Sequence, residues 1–149
     1  MKSLLLSLIV AAAPFCAAVA QNASLPAGDP AAGQTVFVRC SGCHQVGPTA
    51  QNGAGPELNG IIGQKAGVVP GFDFSDAMKN SGITWDVPTL AAYLKSPRTV
   101  VPGNKMSFPG LPQAQDVANV IAYLATFNAD GSPATPAAST APAAPASSN

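Results

Sequence analysis

Charge is scarce in this chain. Of its 149 residues only 9% are Lys, Arg, Asp or Glu, seven basic against seven acidic, with no net charge. That excludes the basic footprint of a nucleic-acid-binding protein and leaves little long-range field to steer a partner. Histidine is scarcer still, since His44 is the only one, and there are three cysteines. A zinc site built on Cys40 and Cys43 would need two further ligands, and His44 can supply only one. No second histidine and no paired carboxylates stand near those residues, so no catalytic set for an enzyme is visible. Beyond the first residues no stretch is long and apolar enough to cross a membrane. No alternating strand pattern and no internal repeat is present. The class is all-α.

The start of the chain reads as a secretory signal peptide over residues 1–20. Lys2 is its positive end, Ser3 to Ala13 its apolar stretch, and Ala18-Val19-Ala20 its small-residue cleavage site. The alternative is an uncleaved anchor, but the run is short for a span and is broken by Pro14. Bulky Phe15 argues against lipid attachment at Cys16. Cleavage removes Lys2 and Cys16, leaving six basic against seven acidic side chains and only Cys40 and Cys43. Export to the periplasm follows, with no transmembrane segment in the mature form. Residues 21–28 form a loose lead-in, 29–128 one domain, and 129–149 a tail rich in Ala, Pro, Ser and Thr. That tail lacks the large apolar residues that would offset ordering entropy, so disorder is expected.

Cys40-Ser41-Gly42-Cys43-His44 is the attachment signature of a c-type haem. Two thiols three positions apart can add to the two vinyl groups of one porphyrin. The adjoining histidine is then held beneath the iron as an axial ligand. The competing readings are a disulfide across a tiny loop, which would staple little, or a bare loop. Haem c and its iron use all three residues and leave nothing over. A core this small would be marginal as protein alone, so the haem-free chain is expected to be largely unfolded.

Helices separated by Gly/Pro loops make up the domain. Asp29 can cap a first helix with Pro30 at its first position, and Gly33, Phe37 and Cys40 share one face. A weaker signal covers 57–62. A third helix begins after Ser75 and stops before Gly82. Asp86 can cap a fourth, with Leu90, Tyr93 and Leu94 on one face before Pro97 ends it. Val117, Val120, Ile121 and Leu124 repeat at three and four over a last helix, 113–127. For a second axial ligand the mature chain offers Met78, within the third helix, and Met106, in a loop stiffened by Pro102 and Pro109. Spacing favours Met106 and leaves Met78 open as ligand or pocket lining.

The chain resembles class I cytochrome c, the soluble bacterial and mitochondrial type, from about Asp29 to Phe127. Besides the haem motif, the likeness rests on Gly55-Pro56, Gly60-Ile61-Ile62-Gly63, Pro70-Gly71-Phe72, Gly82-Ile83-Thr84-Trp85 and Pro102-Gly103-Asn104-Lys105-Met106. The resemblance implies short helices around one haem and His44 and Met106 as axial ligands. It also implies a Pro56 carbonyl that accepts from the imidazole, Trp85 directed at a haem propionate, Tyr93 near the Met106 sulfur, and Gly33 and Phe37 crossing the last helix near Val120 and Tyr123. Three residues depart from the family pattern: Gln64 in place of arginine, Phe74 in place of tyrosine, and Met78 in place of asparagine. They imply a drier pocket, a propionate that ionises less readily, and a reduction potential that varies with pH near neutrality.

The function implied is one-electron transfer without substrate chemistry, by a monomer working between redox protein partners: a membrane oxidase, a reductase or a reaction centre. Arg39, Arg98 and Lys105 are candidates for the docking face, or else ordinary solvated charges. Two other readings stay open. One is a dedicated electron-accepting subunit of a periplasmic dehydrogenase. The other is a haem sensor or weak peroxidase, should Met106 leave the iron.

Overall fold

The computed structural model describes residues 25–134. The expected signal segment, Cys16 and the tail beyond Ala134 lie outside the described residues. Among the described residues five helices appear, in the order α1 (Pro30–Phe37), α2 (Asp76–Lys79), α3 (Val87–Lys95), α4 (Pro97–Val100) and α5 (Ala114–Leu124). Among the described residues there is no strand, only the isolated bridges Lys65–Thr84 and Phe127–Pro133. The all-α class is what the structure has.

Local chemistry explains where the helices begin. The Asp29 carboxylate accepts from Ala31 N–H at 2.8 Å ahead of Pro30 in the first turn of α1. Ser75 caps α2 through Met78 N–H at 3.2 Å, and Asp86 caps α3 through Thr89 N–H at 2.8 Å. Each side chain satisfies an amide that the helix leaves without a partner. Pro97 does two things. It stops α3, whose last residue is Lys95, and its fixed φ then starts the short α4 from the first position.

α1 and α5 form the scaffold. Gly33 lies directly on α5, where a Cβ would run into the Asn119 carbonyl and the Tyr123 Cβ. The absence of a side chain is what lets the two backbones meet. Phe37 and Tyr123 then pack with ring centroids 5.4 Å apart. Buried Asn119 locks the crossing, because its Oδ1 accepts from Asp29 N–H and from Gln115 Nε2, both at 2.9 Å. Val117, Val120, Ile121 and Leu124 turn the apolar face of α5 into the core.

Three expectations need correction. Residues 57–62 are irregular chain and turns, not a helix. There Glu57 Oε2 accepts from Asn59 N–H at 2.7 Å, and the buried Asn59 amide pairs with both Gly47 N–H and Gly47 carbonyl, at 2.8 and 3.0 Å. Side chains that satisfy nearby backbone compete with helix formation, and Gly60 at φ +57° breaks any continuation. The lead-in is not loose where it is described: Leu25 packs on the core, Gly28 abuts α5, and Gln115 Nε2 donates to the Ala27 carbonyl at 2.9 Å. The tail does not begin as a free end at residue 129. Gly131 sits against Gly47 and Pro48, and Ala134 N–H donates to the Thr126 carbonyl at 2.7 Å.

Candidate haem site

After Phe37 the chain leaves α1 in successive turns. Cys40 N–H donates to the Phe37 carbonyl, and the amides of Cys43 and His44 both donate to the Cys40 carbonyl, at 3.0 and 2.9 Å. These turns set two unpaired thiols at the edge of one cavity, Cys40 half-buried and Cys43 exposed. Burial pushes the Cys40 thiol up, against the lowering effect of neighbouring Arg39. The cavity encloses about 380 Å³. Its wall is mostly apolar, built from Phe37, Ile61, Val69, Leu90, Leu94 and Val120 among others.

The seven residues expected to bind the haem line this one cavity: Cys40, Cys43, His44, Pro56, Trp85, Tyr93 and Met106. His44 Nδ1 is 2.7 Å from the Pro56 carbonyl, which can only accept, so the proton resides on Nδ1. Nε2 is left with its lone pair. Burial holds the imidazole below its usual pKa, against the raising effect of that bond, so it stays neutral at pH 7. Gly55 lies against the ring so closely that a Cβ there would collide with it. Across α3, Tyr93 Oη is 3.8 Å from Met106 Sδ, a sulfur-range hydrogen bond. Desolvation raises the Tyr93 phenol to about 12, so it remains a donor. Tyr93 is held in turn by Trp85, at a centroid separation of 4.8 Å.

Met78 also lines the cavity, from α2, and is buried. Phe74 lines it too, half-buried, and packs edge-on against Phe72 at 4.8 Å. Gln64 is outside the lining, held by backbone bonds to Ile61 and Trp85. Of the candidate docking cations, two are engaged with acids. Lys105 Nζ is 2.7 Å from Asp73 Oδ2, and Arg39 is 3.8 Å from Asp116. Arg98 borders an open surface cleft with Phe108 and Pro109.

The residues present fit a haem. One neutral imidazole nitrogen, the thioethers of Met106 and Met78 and two rim thiols surround an apolar slot, a set that includes the donors a doubly bonded porphyrin needs. A bare metal ion fits poorly: among the described residues no three His, Cys, Asp or Glu side chains converge. Two contributors were not evident from spacing. Gly55 is explained only by its contact with the imidazole. Asn104 makes three hydrogen bonds around the Met106 loop, and its signal in the sequence was an Asn in a Pro/Gly turn two residues before a methionine.

Comparison with known proteins agrees with this geometry. A family model described as "Cytochrome c" matches residues 30–128. Cytochrome c2 of Rhodoblastus acidophilus is 57% identical over 106 residues, 71% of this chain and 99% of that one. Cytochrome c2 of Rhodomicrobium vannielii is 52% identical over 126 residues, 85% of this chain and 97% of that one. Among solved structures, cytochrome cH from Methylobacterium extorquens superposes with a TM-score of 0.63 at 47% identity. It covers 66% of this chain and 99% of its own.

Proposed function

The chain belongs to the cytochrome c family and is an electron carrier with one covalently attached haem c, and from that premise we propose that His44 and Met106 would ligate the iron and that Cys40 and Cys43 would bond the porphyrin. The observation that carries the ligand assignment is the pair of directed bonds at one cavity. His44 Nδ1–H is fixed by Pro56 at 2.7 Å, and the Met106 sulfur is held by Tyr93 at 3.8 Å. Met78 has no such donor at its sulfur among the described residues and serves as lining.

The haem supplies an iron that gains and loses one electron. The protein keeps everything else still. The Pro56 carbonyl fixes the imidazole tautomer and ring plane and strengthens Nε2 as a donor. Tyr93 draws density from the thioether, which favours the reduced state. Phe37, Leu90, Leu94 and Val120 exclude water, so the donor set does not change when the electron moves. Cys43, the exposed end of the motif, would mark the edge at which a bound haem exchanges electrons. Residues 1–20 direct export to the periplasm. The partners are redox proteins that accept a nearly neutral docking face, where Asp73 and Asp116 offset Lys105 and Arg39 and Arg98 contributes an exposed positive charge. The protein performs no substrate chemistry.

The test is potential-controlled visible spectroscopy of the purified exported protein. We expect a single transition of one electron, 59 mV per decade. The oxidised form should show the weak long-wavelength band of thioether ligation. Met106→Ala should abolish that band and Met78→Leu should leave it. The opposite result moves the ligand to Met78.

A further inference from the structure

We infer that Asn104 is a positioning residue that sets the Met106 thioether in the cavity, an inference that rests on Met106 being the iron ligand. Met106 belongs to no helix, so its own backbone cannot hold it in place. Asn104 ties the loop on both sides. Its Nδ2 donates to the Val101 carbonyl at 2.7 Å and to the Pro97 carbonyl at 3.1 Å, and its Oδ1 accepts from Met106 N–H at 2.9 Å. Pro97 and Val101 are both buried, Val101 at 3% exposure, so the amide is anchored to buried residues that begin α4 and cap its C-terminal end, not to exposed surface. One planar group therefore spans from that helix end to the ligand's own N–H.

Lys105 offers a second restraint on the same loop, through Asp73 at 2.7 Å, reinforced by the Asp73 carbonyl at 3.3 Å. Both partners are exposed, and an exposed pair contributes little. A half-buried amide with three bonds contributes more, because its loss leaves polar groups without partners. The inner tie should dominate the outer one.

Imidazole added to the oxidised holoprotein competes for the position Met106 occupies, so its apparent affinity reports how often the thioether is away. With wild type as reference, Asn104→Ala should bind imidazole at least fivefold more tightly and should weaken the long-wavelength band. Asp73→Asn should stay within twofold. Should Asn104→Ala fail to mature with haem, Asn104→Ser, which keeps an oxygen for Met106 N–H, takes its place under the same fivefold criterion. A change smaller than fivefold, even with a lowered melting temperature, makes Asn104 merely structural and overturns the inference. An Asp73→Asn effect as large as that of Asn104→Ala overturns it equally. A wild type that lacks the band fails earlier, at the ligand assignment itself, and the inference falls with it.

Discussion

Tyr93 shows how much one hydroxyl can do at this site. Tyr93→Phe keeps the ring against Trp85 and deletes only the donor to Met106 Sδ. A hydrogen bond of this kind is worth about 0.5–1 kcal/mol, and the potential reads the part of it that favours the reduced state, so it should fall by up to about 20–40 mV in a redox titration. An unchanged potential would mean that the hydroxyl does not favour the reduced state. The raised phenol pKa adds a dependence on pH. The folded state holds the neutral phenol up to about 12, while the unfolded chain releases its proton near pH 10. This contribution to stability is complete below pH 10 and is lost as pH rises through 12. Gly55 is the converse case, a residue that matters by what it lacks. In Gly55→Ala the new methyl meets the His44 ring, which must tilt away from Pro56. We expect a loss of about 1–3 kcal/mol in denaturant unfolding of the holoprotein, together with an altered haem spectrum. An unchanged midpoint and spectrum would contradict the packing described.

At the scale of elements, the contact of α1 with α5 depends on Gly33. Gly33→Ala puts a methyl into the Asn119 carbonyl, which is backbone and cannot swing aside. We expect destabilisation of about 1–3 kcal/mol or more, measured by thermal unfolding, with the proposed ligands His44 and Met106 retained. No loss would mean that the helices do not meet where the structure places them. This crossing was implied by the family resemblance, while the starts of α1, α2 and α3 were legible in the residues themselves, because Asp29, Ser75 and Asp86 are strong capping residues. Residues 57–62 were not legible as irregular chain and turns. Their apolar spacing fits a helix, and what prevents it is the reach of Asn59 to Gly47, a contact between segments that no local pattern displays. Pro97 was read as a stop and is also a start, since the residue that ends one helix suits the first turn of the next.

At the scale of the whole molecule, the core is organised around a space. A cavity of about 380 Å³ is lined by residues of α1, α2, α3, α5 and the Met106 loop, and interiors do not stay open at that size. Filled by a covalently held porphyrin, it becomes the centre of the core. Emptied, it removes the surface on which these short helices pack. We therefore expect a Cys40→Ala, Cys43→Ala chain to lose most of its far-ultraviolet helical signal, whereas retained native-like helicity would show that the protein packs without haem. Cys40, Cys43 and His44 could be read from their spacing, whereas Pro56, Trp85 and Tyr93 entered only through the family resemblance, which also decided for Met106 over Met78. What could not be read was how the ligand loop is secured, because Asn104 acts through carbonyls of Pro97 and Val101 that only the folded chain brings near. The covalent bond is the claim beneath all of this. Peptide mass mapping of protein made with haem-attachment machinery tests it most directly. We expect the peptide containing residues 40–44 to carry the added mass of one haem with neither thiol free, whereas that peptide unmodified, with two thiols or a disulfide, would contradict the account.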